Sequence, residues 1–264
     1  MATLSPNLNV MIKAAEKASR SLLRDYGEVE NLQLSKNGPD DFVIAAHKRA
    51  QDIIQTELIK SRPAFGFLTQ LGGDKPGEDK DQRWIIDPLN GSINFLHGLP
   101  YWSISIALEK DEKIISSLVY SPINDELFHA EKGCGAFSRN KRLRVSGRNK
   151  LKNCIIATTC PAANANNHEI HIKRINKVNS LTSGTRIINS PALDLAYVAA
   201  GKIDAFWENE NQLKPWDKAA SSLIIKESGG FFDDLKSKHS IYGNNLLSGN
   251  LDIRNDITKL LKSA

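Results

Sequence analysis

The sequence predicts an α/β chain. Amphipathic helical stretches alternate with short β-branched ones, and Gly, Pro and Asn punctuate the joins. One apolar strand ends in an acid, just where a turn opens onto a helix. That stretch is Trp84-Ile85-Ile86-Asp87-Pro88-Leu89-Asn90-Gly91-Ser92-Ile93-Asn94-Phe95. Trp84 to Asp87 reads as the end of a buried strand. Pro88 has no N–H for a ladder, so the strand is predicted to stop there. Asn90-Gly91-Ser92 has turn and helix-cap chemistry. An acid at a strand end beside free backbone N–H groups suits a cation held next to a phosphate.

The remaining elements follow in order. Asn9 to Tyr26 has apolar positions at helical spacing, with Gly27 as the stop. Asn31–Leu34 is predicted as a short strand, and a helix follows His47 to about Lys60. Pro63–Leu68 is a second short strand. Ser103–Leu108 and Ile114–Tyr120 are strands joined by the charged turn Glu109-Lys110-Asp111-Glu112. Pro122–Phe128 and Gly133–Phe137 read as a hairpin with glycine turns. Cys154–Thr159 is a strand that opens the second half, followed by a polar loop over Pro161–His168 and a helix. Asp217 stands at a helix start, where a cap and a metal ligand look alike. Glu227-Ser228-Gly229-Gly230 ends that helix.

Composition sets the bounds. The chain has 264 residues, 41% hydrophobic and 25% charged, which suits one large domain or two closely packed halves. No apolar run approaches a membrane span, and the N-terminus lacks a signal-peptide core, so a cytoplasmic protein is expected. Cys134, Cys154 and Cys160 have no metal spacing and are expected to be buried thiols. The net charge of +5 is partly local. Arg139, Lys141, Arg142, Arg144, Arg148, Lys150 and Lys152 follow one another with no acid among them. The run is expected to be a solvated hairpin and loop, with contact to RNA, an anionic surface or an acidic protein as the alternative.

The stretch WIIDPLNGSINF resembles the W-[IV]-[IV]-D-P-[LI]-D-G-T-x-N-F signature of the inositol monophosphatase family, lithium-sensitive and magnesium-dependent phosphatases. A second motif, Pro215-Trp216-Asp217-Lys218-Ala219-Ala220, resembles the family's P-W-D-x-A-A-G. Further matches run from about residue 9 to residue 262 and mark a divergent, bacterial-type member. The resemblance implies a layered α-β-α-β-α sandwich. It forms a single unit of residues 1–264, with sub-domains of roughly 1–148 and 149–264 and the site between them. It also implies Mg2+, a phosphorylated small molecule such as an inositol or sugar phosphate as substrate, and a homodimer.

Carried over position by position, the implied metal ligands are Gln70, Asp87, Leu89 through its carbonyl, Asn90 and Asp217. Gln70 and Ser92 take the catalytic positions, Gly91 and Ser92 the phosphate, and Glu208, Ser190 and Ala192 the substrate. Glu210 is an alternative to Glu208, because the linker Asn209–Lys214 is longer than usual. The departures fall on chemistry. Gln70 and Asn90 stand where the family has carboxylates, Ile44 and His47 where it has Thr and Asp, and Pro191 where it has Ala. His47 is expected to be a surface residue, His97 a packing and hydrogen-bonding one, and Pro191 removes an N–H beside the substrate. Magnesium prefers charged oxygen ligands, so each lost carboxylate weakens binding by about a hundredfold or more. Three readings stay open: a family member with strongly reduced activity, a working phosphomonoesterase with a rearranged metal site, and a regulatory protein in an RNA-associated complex.

Overall fold

The structure, a computed structural model, describes residues 4–29, 39–160, 168–208, 213–235 and 241–263. Helix α1 (Pro6–Gly27) starts where Ser5 accepts the Leu8 N–H through its side chain, with Pro6 just inside. Its buried stripe is Leu8, Met11, Ala15, Ala18 and Leu22. Helix α2 (Pro39–Ser61) buries Ala46, Ala50, Ile54 and Leu58 at four-residue spacing and lies against α1. It begins before His47, so that residue sits inside the helix. The predicted strand Asn31–Leu34 lies outside the described residues.

Among the described residues the first sheet has eight strands: β1 (Phe65–Thr69), β2 (Gly73–Lys75), β3 (Asp79–Asn90), β4 (Ser103–Lys110), β5 (Lys113–Ser121), β6 (Glu126–Glu131), β7 (Gly135–Ser138) and β8 (Lys141–Arg142). Their order is β2-β1-β3-β4-β5-β6-β7-β8, antiparallel except for β1 with β3. The β4–β5 turn is carried by Asp111 and Glu112, both at positive φ, as a two-residue hairpin turn requires. The short helix α3 (Ser92–Leu96) follows β3. The second sheet contains β9 (Ile155–Thr158), β10 (Gly184–Arg186), β11 (Ala205–Trp207), β12 (Phe231–Asp234) and β13 (Leu246–Gly249), in the order β10-β9-β11-β13-β12. Helices α4 (His168–Leu181), α5 (Pro191–Ala199), α6 (Pro215–Glu227) and α7 (Arg254–Lys262) complete the chain.

The layers run helix, sheet, helix, sheet, helix. Strand alternation assigns each side chain to one of them. Trp84 and Ile86 of β3 and Ile104, Ile106 and Leu108 of β4 pack under α1 and α2. Ile85 and Ala107 point the other way, into a middle core with α5, α6, Phe206 and Phe232. Trp207, Phe231 and Leu247 form the outer core of the second sheet with Val178 of α4 and Ile257 and Leu261 of α7. No described helix is long and apolar enough to cross a membrane.

Several expectations are corrected. The strand does not stop at Pro88. It runs to Asn90 through an irregularity in which Asp87 pairs with Ser105 and Asn90 with Ser103. Two residues, Pro88 and Leu89, thus oppose one, and a bulge is where a strand tolerates proline. Cys154 is buried, but Cys134 and Cys160 are exposed. His97 is exposed and contributes its backbone N–H to the end of α3. The seven basic residues of the run are all exposed, as expected; within it Arg148 pairs with the buried Asp204 at 3.0 Å, and Arg139 makes a surface pair with Asp125.

Candidate functional site

The bulge in β3 builds the site. Asp87 and Asn90 are an odd number of residues apart and in a regular strand would face opposite sides. The extra residue restores parity, and both face the middle layer. Asp217 arrives there from the first turn of α6. One of its oxygens accepts the Lys214 N–H at 2.7 Å, a cap. The other accepts from Asn90 Nδ2 at 3.1 Å. The same Asn90 nitrogen donates to Asp87 Oδ2 at 2.9 Å. Asn90 Oδ1 accepts from the Ala192 N–H at 3.0 Å and the Ser190 hydroxyl at 3.1 Å. The Ala192 amide can only donate, so it fixes the side-chain orientation: the NH2 group faces the two carboxylates.

Burial is the main cause that raises the carboxyl groups of both Asp87 and Asp217 above the usual carboxylate range, and Asp87 adds its own charge to the effect at Asp217. His47, expected on the surface, is buried, because α2 turns this face onto β3 and the end of β1. Its Nε2 is 3.1 Å from Gln70 Oε1 and 3.8 Å from Asp87 Oδ1. Burial holds the imidazole below its ordinary value, so it stands neutral at pH 7 and donates to Gln70. Both amides of the site are therefore engaged by side chains around them. His47 pairs with Gln70, and Asn90 pairs with Asp87 and Asp217. Ile44, by contrast, is 57% exposed.

The other candidate residues divide. Leu89 is buried under the outer helices, and its N–H donates to Asp87 Oδ1 at 3.1 Å. Gly91 has φ 89°, and a Cβ there would meet Ser190 Cβ and Tyr101 O at 3.0 Å, so close packing requires the glycine. Ser92 opens α3 and is half-buried. Ser190 and Ala192 are fully buried, and the polar groups they bring to the site go to Asn90. Pro191 is the first residue of α5, where a missing N–H costs nothing. The next N–H, of Ala192, donates to Asn90 Oδ1 at 3.0 Å. Glu208 is buried just beyond β11. Glu210 lies outside the described residues. Sequence reasoning passed over Lys218, a buried lysine beside Asp217. A lysine inside an apolar helix motif was the available signal.

A divalent cation between Asp87 and Asp217 requires oxygen ligands, but the group between them is an NH2 whose own oxygen points away. Among the described residues no cluster of three His, Cys, Asp or Glu side chains converges to hold a metal. The donor set fits magnesium poorly.

Close by, Asp194 is fully buried and accepts the Tyr101 hydroxyl at 2.7 Å. Burial pushes its carboxyl up to about 7. The folded state therefore holds a proton that the unfolded chain releases near pH ~4, and stability falls as pH rises between these values. Asp194→Asn should flatten the melting temperature against pH from 5 to 8 and raise it at pH 8 (~ several degrees). An unchanged slope in thermal melts would refute this.

The sandwich, with an acid from a bulged strand facing an acid at a helix start, defines a two-motif phosphatase-type scaffold. The chain belongs to the inositol monophosphatase family, whose profile matches residues 3–262. It is 46% identical over 256 residues to an inositol-1-monophosphatase of Mesorhizobium japonicum, covering 97% of this chain and 96% of that one. The Nus factor SuhB of Escherichia coli K12 is 36% identical over 248 residues, covering 94% and 91%. The crystal structure of the extragenic suppressor protein suhB from Bartonella henselae superposes with a TM-score of 0.89 at 46% identity, covering 98% and 100%.

Proposed function

We propose that this chain is an inositol-monophosphatase-family protein whose magnesium-dependent hydrolysis of inositol or sugar phosphates is strongly reduced. The observation that carries the reading is the Asn90 amide bridging Asp87 and Asp217. It puts two N–H donors where a cation needs oxygen, and Gln70 supplies no base because a carboxamide oxygen lacks the basicity of a carboxylate; that oxygen bonds His47 instead. Magnesium binding is weak, and a phosphorylated small molecule is held near Gly91, Ser92, Asp217 and Glu208, between sub-domains 1–148 and 149–264. The test is turnover of inositol 1-phosphate with magnesium, beside calorimetry. Two tight magnesium sites with brisk turnover would favour an active enzyme with a rearranged site.

A homodimer is supported by Ile93 (63% exposed), Leu99 (50%) and Ile187 (40%). These lie near one another because Asn94 reaches the Ile188 carbonyl at 2.7 Å. Sedimentation at the monomer mass would remove this proposal. A regulatory role in an RNA-associated complex is supported by the exposed Lys141, Arg142 and Arg144 and by the likeness to proteins named Nus factor.

A further inference from the structure

We propose that a cleft on the outer face of the first sheet binds a long linear aliphatic diamine. The cleft lies between the N-terminal half of α1 and strands β5 to β7, and its volume is about 590 Å³. Small-molecule sites span ~300–1,000 Å³. Leu8, Ile12 and Glu16 stand one turn apart on α1 and form one wall. Leu127, His129 and Glu131 alternate along β6 and form the floor. Phe137 of β7 pairs with His129 in register, and their rings stack at 5.8 Å.

The middle of the cleft is apolar and uncharged. His129 Nε2 donates to the Arg139 carbonyl at 3.3 Å, and burial holds the imidazole below its ordinary value, so it is neutral at pH 7. The two ends are acidic. Glu131, half-buried, closes one end and accepts the Ser116 hydroxyl at 3.2 Å. Leu127 marks the other end, where Tyr120 is its register partner. Burial, then the charges of Asp125 and Glu16, raise the Tyr120 hydroxyl, which places both acids there. Arg139, a cation in the lining, is taken by Asp125. Among the described residues neither Glu16 nor Glu131 forms an ion pair. Leu127 and Glu131 are four residues apart on one strand, a span of about 13 Å. Acids at both ends of an apolar floor match a methylene chain with an ammonium at each end. A monoamine would leave one acid unpaired, and an anionic tail would be repelled. The chain carries a net charge of +5, so an acidic rim is not the general character of its surface. The cleft lies across the first sheet from Asp87 and Asn90, which face the middle layer, so the proposal is independent of the phosphatase reading.

The test is calorimetry at low salt with α,ω-diaminodecane, beside α,ω-decanediol and the decanedioate dianion, which share its length. The diamine should bind at least about tenfold tighter than the diol, and the dianion should not bind. Glu16→Gln with Glu131→Gln should weaken the diamine about tenfold, as the loss of two exposed ion pairs predicts. Both residues sit at the rim, and an unchanged melting temperature would show that the pair still folds. Ile12→Arg, which sets a cation in the cleft, should abolish binding. Asp217→Asn should leave it unchanged. Equal binding of the diol or the dianion, or indifference to the two glutamine substitutions, would overturn the proposal. Loss of binding in Asp217→Asn would place the diamine at the phosphate site and overturn it as well.

Discussion

Gln70→Glu combined with Asn90→Asp should raise magnesium-dependent turnover of inositol 1-phosphate by about a hundredfold or more, beyond the product of the single effects. The geometry explains why each single change falls short. Gln70→Glu places a charge 3.1 Å from His47 Nε2, and the imidazole then takes a proton and neutralises it. Asn90→Asp keeps the bonds from Ser190 and Ala192, since only the nitrogen on the other branch changes to oxygen. It also sets a third carboxylate against Asp87 and Asp217 with nothing between them. In chelator that variant should lose roughly 3–5 kcal/mol, about 10 °C in melting temperature, and magnesium should restore it. Asp87→Asn in the double background should abolish the gain in turnover. A folded double variant that binds magnesium and stays inert would place the damage on the substrate side, at Pro191 and the lengthened linker 209–214. Ile44→Thr should add little, because that side chain faces solvent.

Arg148→Met should destabilise the fold by about 2 kcal/mol, near 5 °C, although it lies in a run that looks like surface charge. Arg148 bonds the buried Asp204 at 3.0 Å and the Gly201 carbonyl at 3.3 Å. Asp204 also accepts the Ser146 hydroxyl and the Ile155 N–H, which limits the loss. Replacing Lys141, Arg142 and Arg144 together by Gln should leave the melting temperature within about 1 °C, because among the described residues they form no ion pair. Turnover should not change either. If the basic edge binds RNA, the same triple variant should weaken salt-sensitive binding of a single-stranded RNA probe. A fall in turnover would show that the segment reaches the site.

The helices, most strands and both motifs were legible in the sequence because their signals are local. The stripe of α1 repeats at helical spacing, and a hairpin announces itself by its turn. Family likeness adds the layered arrangement, since Asp87 and Asp217 each sit in a motif readable within a dozen residues. Pro88 misled for the same reason. A local rule ends the strand there, and only the pairing with β4 turns the break into a bulge.

The sequence by itself determined the family, the α/β layering and the presence of two uncharged amides, Gln70 and Asn90, in or beside its motifs. Only the tertiary structure decided what these amides meet. His47 meets Gln70 across 23 residues, Asn90 meets Asp217 across 127 and Ser190 across 100, and Lys218 reaches Gly243 from a helix. No spacing rule reports such contacts. A buried amide or ammonium is stable only where several distant elements bring acceptors to it at once, and that convergence exists only after the layers have packed.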